Sequence, residues 1–252
     1  MSDITEKLLE LAHELGREDR GLAILGEGNV SARISDTEFQ VKASGSSLGT
    51  LREDQLATCS FDKLLPLLNI EGMSDTEIDE KLMESRTEDW MKKPSVEATF
   101  HATLLNIEGI HYVGHVHPEH VNMLLCSDMG EEFANKRLFP DQIVCCGSRS
   151  VIIPYQDPGL ALAKVIDREV RAFIEKEYTY PKNILIENHG LIAIGKTAKE
   201  VLSGTLMAEK SARIHMGALA ARPQGPVYLT PEQVQRIAGR PDEHYRQKML
   251  NG

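Results

Sequence analysis

The chain has 252 residues and a formal net charge of −10, with no Lys/Arg cluster dense enough to form a basic groove, so the phosphates of a nucleic acid would be repelled. There is no basic-plus-apolar leader and no apolar run near the roughly 18 residues of a membrane span, which predicts a cytoplasmic protein with no membrane partner. This length can bury a sizeable core without staples, and Cys59, Cys126, Cys145 and Cys146 show no C-x-x-C spacing, so one α/β domain over 1–252 with reduced cysteines is expected.

Ile4, Leu8, Leu11, Ala12 and Leu15 recur at helical spacing behind Ser2 or Asp3, predicting an amphipathic first helix over 3–18. A glycine turn at Gly26 and Gly28 opens a strand with Val30, Ala32 and Ile34 on one face, and Asp36 turns it into a second strand over 38–43. That strand runs into Ser44-Gly45-Ser46-Ser47-Leu48-Gly49, a loop of small residues whose N–H groups suit either an oxyanion or a plain turn. Residues 55–61 read as a third strand, and the acidic stretch 62–93 as a surface excursion with at most a short helix or two.

Ser95 is a good N-cap for a buried helix carrying Ala98, Phe100, Ala102, Leu104 and Leu105. Glu97, four residues before His101 and on the same face, reads either as a first-turn acid or as a functional carboxylate, and His101 as a core histidine. Residues 110–117 read as a strand ended by Pro118, with a helix over 121–126 beyond it. Further expectations are a strand over 143–146, which would turn Cys145 and Cys146 to opposite faces, and another over 148–154. A helix capped by residues 155–159 follows, then strands over 183–187 and 191–194 joined by a tight Asn188-His189-Gly190 turn. A capping box at Thr197 starts a long helix to about Ala221, Thr230 caps a short last one, and the tail 242–252 is charged.

The chemistry concentrates where titratable groups stand at element ends. Strand alternation puts His115 and His117 side by side on one face, a pair suited to Zn²⁺ or left as plain surface or core histidines. With His189 at the other turn, three neutral imidazoles would leave coordination positions open, as a catalytic metal site requires, and Glu97 would serve as fourth ligand or proton shuttle.

Five motifs in order, Gly28-Asn29-Val30-Ser31, Lys42-Ala43-Ser44-Gly45, Pro94-Ser95-Val96-Glu97 with His101, His115-Val116-His117 and Asn188-His189-Gly190-Leu191, make the chain resemble the class II sugar aldolases related to fuculose-phosphate and rhamnulose-phosphate aldolases. That superfamily also holds ribulose-5-phosphate 4-epimerase and the adducin head. The resemblance spans about residues 4–220 and implies a single αβα domain with a mostly antiparallel sheet, usually assembled as a homotetramer with active sites at subunit interfaces. It implies His115, His117 and His189 as ligands of Zn²⁺, or of Mn²⁺ or Co²⁺, and Glu97 as the acid/base. It implies Asn29, Ser44, Gly45 and Ser95 as the phosphate pocket of a sugar-phosphate substrate, with Asp141 as a second acid entering from a neighbouring subunit. The implied activity is retro-aldol cleavage of a ketose phosphate through a Zn-stabilised enediolate; alternatives on the same scaffold are a 4-epimerase, a 3-oxo sugar-acid phosphate decarboxylase and a non-enzymatic adducin-like module. Val96 stands where the family often has a second serine, removing one hydroxyl from the anion pocket, and the chain ends Lys248-Met249-Leu250-Asn251-Gly252 without the epimerases' tyrosine.

Overall fold

The structure, a computed structural model, describes residues 2–222 and 224–240. The tail 242–252 and its Lys248–Gly252 end lie outside the described residues. Seven strands form one sheet: β1 (Asn29–Arg33), β2 (Glu38–Lys42), β3 (Leu56–Ser60), β4 (Tyr112–Val116), β5 (Val151–Ile153), β6 (Asn183–Ile186) and β7 (Gly190–Gly195). Their spatial order is β3-β2-β1-β4-β7-β6-β5, and every neighbouring pair is antiparallel except β5 with β6. The helices are α1 (Asp3–Leu15), α2 (Phe61–Leu64), α3 (Asp75–Glu84), α4 (Ala98–Leu105), α5 (Glu119–Leu125), α6 (Gly130–Asn135), α7 (Pro140–Cys146), α8 (Leu160–Glu177), α9 (Ala198–Ala221) and α10 (Pro231–Ala238).

Strand alternation sorts the side chains into two cores. Phe39, Val41, Val113, Ile184, Ile186, Ile192 and Ile194 face α4 and α8. Val30, Ala32, Tyr112 and Val116 face α1 and the start of α9, while Leu185 and Leu191 meet α5 and the middle of α9. A sheet covered by helices on both faces is the expected αβα arrangement, and all five residues of the central strand β4 are buried. α1 follows its predicted pattern: the Ser2 hydroxyl accepts from the Thr5 N–H at 3.2 Å, and Leu8, Leu11, Ala12 and Leu15 point inward.

Two local expectations are corrected. Residues 143–146 belong to helix α7, not to a strand: Pro140 starts it, the Gln142 side chain accepts from the Leu138 N–H at 2.8 Å, and Gly147 at φ 79° ends it. The Arg137 guanidinium, buried, donates to the carbonyls of Phe133, Ala134, Lys136 and Gly147 and so fastens the end of α6 to the end of α7. Cys146 is then buried and Cys145 half-buried one helical step apart. The second correction is Ser95, which is not the N-cap of α4. Glu97 holds that position, and the Ser95 carbonyl instead accepts from the Ala98 N–H in a turn that precedes the helix. Within the stretch 62–93, the helical pieces are α2, a 3-10 helix over Leu65–Asn69 and α3, and the strand expected over 148–154 contracts to β5.

Candidate metal centre

β4 and β7 are hydrogen-bonded neighbours, with His115 opposite Ile192 and Val116 opposite Leu191, so the end of β4 and the start of β7 lie side by side. His115 projects toward α4, and its ring meets the Phe100 ring edge-on at 5.7 Å between centroids. His117 lies just past the strand, fixed by its N–H to the Leu22 carbonyl at 2.9 Å. His189 sits in the β6–β7 turn after Asn188, whose φ of 53° is a left-handed conformation that asparagine tolerates. Its carbonyl accepts from the Asn122 side chain of α5 at 3.0 Å. Gly190 follows because nothing larger fits: a Cβ there would stand 2.6 Å from the Val116 oxygen and 2.7 Å from His117 Cδ2.

These elements bring the three imidazoles together, with one ligating atom of each within 4.8 Å of the others. His117 Nε2 and His115 Nε2 are 3.2 Å apart. The edge of a tetrahedron with Zn–N bonds of about 2.0–2.1 Å is about 3.3–3.4 Å, so this spacing suits two ligands of one ion. His115 Nδ1–H donates to the Leu191 carbonyl at 3.1 Å, a bond that leaves the Nε2 lone pair facing the cluster. Burial, and then the neighbouring His117 and His189, hold the His115 pKa well below the usual histidine value. Burial also lowers that of His189, against the attraction of the Glu97 carboxylate. Neutral imidazoles with free lone pairs are what a cation needs.

Glu97 completes the cluster from the start of α4. Its Oε2 stands 3.6 Å from His115 Nε2 and its Oε1 3.6 Å from His189 Nε2. Glu97 Oε1 and His189 Nδ1 are buried yet have no hydrogen-bond partner. Such orphaned polar atoms are costly, and a cation beside the carboxylate would satisfy the first of them. The residues present therefore fit a divalent metal.

The anion-pocket candidates adjoin this cluster. The Ser95 N–H bonds the Lys42 carbonyl and the Ser44 N–H the Lys93 carbonyl, which ties the residue 44–49 loop to the approach to α4. Ser44 and Gly45 are exposed there, with open space around Gly45. Asn29 Nδ2 donates to Glu97 Oε2 at 2.7 Å and to Ser95 Oγ at 3.3 Å, so both of its amide hydrogens are engaged within the protein. Asp141 stands in the first turn of α7, which packs on α9 across the sheet from α4.

Three contributors were not assigned from sequence. Lys42 is buried, donates to the carbonyls of Gly26 at 3.2 Å and Ser46 at 2.5 Å, and so clamps two glycine-containing loops together. Burial lowers its pKa against the pull of Glu97. A lysine on an otherwise inward-facing strand end, directly before Ala-Ser-Gly, was the available signal. Glu27 accepts from the Ile24 N–H at 3.0 Å with one oxygen and approaches His117 Nδ1 to 3.6 Å with the other. His101, expected to be a core residue, is fully buried and hydrogen-bonded to Asn29 and Ser31.

The sequence pattern described as "Class II Aldolase and Adducin N-terminal domain" matches residues 6–216. The chain is 27% identical over 209 residues to the uncharacterized oxidoreductase YuxG of Bacillus subtilis, covering 80% of this chain but only 28% of that much longer protein. It is 27% identical over 245 residues to the 3-oxo-tetronate 4-phosphate decarboxylase of Haemophilus influenzae, covering 95% of this chain and 99% of that one. Among solved structures, an L-fuculose 1-phosphate aldolase superposes with a TM-score of 0.68 over 98% of this chain and 97% of its own at 16% identity, a likeness of fold alone. No helix among the described residues is long and apolar enough to cross a membrane.

Proposed function

The chain belongs to the class II aldolase and adducin N-terminal domain family, and from that membership we propose that it is a metal-dependent lyase that cleaves a carbon–carbon bond in a phosphorylated sugar. The observation that carries this reading is the convergence of His115, His117 and His189 with the Glu97 carboxylate on the buried face of the sheet. A structural module has no use for three convergent imidazoles beside a carboxylate, and this disfavours an adducin-like role.

Zn²⁺ is the proposed ion, since three imidazoles suit it, with Mn²⁺ and Co²⁺ as substitutes. When bound it would supply Lewis-acid stabilisation of the charge that develops on the substrate oxygens. His115, His117 and His189 would hold it, and the Leu191 carbonyl would keep His115 in the ligating tautomer. In retro-aldol cleavage the hydroxyl proton leaves as the C–C bond breaks; the bonding electron pair stays with the ketone-bearing fragment and an aldehyde departs. Glu97 is the proposed proton carrier, because its unpartnered Oε1 faces the cluster while Oε2 is held by Asn29. Ser44, Gly45 and Ser95, at the mouth of the same cluster, are the proposed phosphate pocket, and buried Lys42 adds favourable charge behind it. Asp141 is retained as a second acid that only a neighbouring subunit would deliver. The proposed assembly, which follows from the family resemblance, is a cytoplasmic homotetramer, and the exposed Ile24 and Leu25 offer apolar surface for a contact between copies.

Decarboxylation of a 3-oxo sugar-acid phosphate is the second reading. It is favoured by the decarboxylase relative, which matches nearly end to end, and by the same electron flow, with CO2 leaving in place of the aldehyde. The test is to load purified full-length protein with Zn²⁺, supply ketose phosphates and 3-oxo-tetronate 4-phosphate, and measure released dihydroxyacetone phosphate, aldehyde and CO2. Both reactions leave dihydroxyacetone phosphate, so the co-product decides: an aldehyde without CO2 from a ketose phosphate supports the aldolase, CO2 from the 3-oxo acid supports the decarboxylase, and no dihydroxyacetone phosphate from any substrate rejects both. His117→Ala should lose stoichiometric metal, whereas Glu97→Gln should keep metal and lose at least about 100-fold in turnover.

A further inference from the structure

A buried chain of hydrogen bonds runs behind the cluster. Ser31 Oγ is 2.6 Å from His101 Nδ1, His101 Nε2 bonds Asn29 Oδ1, and Asn29 Nδ2 reaches Glu97 Oε2 at 2.7 Å. All four side chains are buried. Asn29 and Ser31 are alternate residues of β1 on the face toward α4, while His101 lies one helical turn beyond Glu97, so strand period and helix period align the four groups. The His101 ring is held flat against Phe100 at 4.5 Å between centroids.

Donor and acceptor counting fixes the polarity of this chain. The Glu97 carboxylate can only accept, so Asn29 must turn its amide nitrogen toward it and its carbonyl oxygen toward His101. That oxygen can only accept, so His101 must carry its proton on Nε2, which leaves Nδ1 to accept from the Ser31 hydroxyl. We propose that Ser31 and His101 are positioning residues, which lock the Asn29 carboxamide and thereby hold Glu97 Oε2 in place, leaving Oε1 unpartnered beside His189. Asn29 accordingly acts first on the carboxylate, not on a substrate phosphate, since its donors are already engaged. The functional weight of this inference rests on Glu97 being the proton carrier, but the hydrogen-bond polarity does not.

Two measurements on the full chain test it. Long-range proton–nitrogen correlation spectra of ¹⁵N-histidine-labelled protein should show His101 protonated at Nε2 and bare at Nδ1, as a single tautomer. Protonation at Nδ1, or at both nitrogens, overturns the proposal whatever reaction the protein catalyses. The second is a double-mutant cycle on Zn²⁺ affinity, read by competition with a chromogenic chelator. Loss of a partner behind a metal site costs about tenfold or more in affinity, so His101→Phe should weaken Zn²⁺ by about that factor in the wild-type background and much less in the Glu97→Gln background. Equal losses in both backgrounds would mean a purely structural role and overturn the proposal. His101→Gln, whose amide nitrogen reaches the Nε2 position, should restore most of the affinity; if His101→Phe does not fold, this variant and the tautomer measurement decide the question.

Discussion

At the scale of single residues, burial disfavours charge on two histidines of the site, His101 and His115. His101 and His115 are fully buried, and desolvation holds both well below the usual histidine pKa near 6.5. A group whose folded-state pKa is depressed binds fewer protons folded than unfolded, so stability rises with pH between the two values. Above about pH 6.5 both states are neutral and nothing is lost; as pH falls below it, the unfolded chain takes up protons that the folded chain refuses. Each such histidine then costs up to about 1.4 kcal/mol per pH unit. Metal-free protein should therefore lose about 1–3 kcal/mol of unfolding free energy between pH 7.5 and 5.5, as read by urea denaturation in the presence of a chelator. Unchanged or greater stability at the lower pH would show that these rings are accessible to protons.

At the scale of elements, the site depends on how tightly β4 and β7 pair at one end. Gly190→Ala would place a methyl group against the Val116 carbonyl and the His117 ring. It should cost about 1–3 kcal/mol in stability and abolish Zn²⁺ binding although no ligand is changed, as checked by thermal unfolding and metal analysis. Much of this arrangement was legible in the sequence. Alternation revealed β1 and β4, the turn at Asp36 led into β2, and His-x-His before a proline placed two imidazoles on one face at a strand end. The Asn-His-Gly turn was readable from its glycine. Residues 143–146 were misread because a four-residue apolar run carries no period of its own, and the decisive contacts, Gln142 on Leu138 and Arg137 on Gly147, are tertiary or capping bonds. Ser95 was misread because its hydroxyl lies within reach of the Asn29 amide and the Glu97 N–H, and the N-cap falls two residues later at Glu97. The role of His101 was hidden because its partners lie 70 and 72 residues away.

At the scale of the whole molecule, residues 29, 97, 115 and 189 come from four separate stretches of the chain and meet only because the middle of the sheet reads β1-β4-β7. Pairing β4 with β7 joins Tyr112 to Gly195 and Val116 to Leu191, so strands some 75 residues apart must register before the third imidazole arrives. Such long-range pairing tends to form late in folding, because loop closure must come before the contacts that reward it. Ion capture is then a reporter of completed architecture and not a nucleus for it. Refolding from urea should proceed at the same rate with or without Zn²⁺, and the ion should act only afterwards, by slowing the return to the unfolded state. A nascent chain would accordingly emerge past its seventh strand before it could compete for the metal.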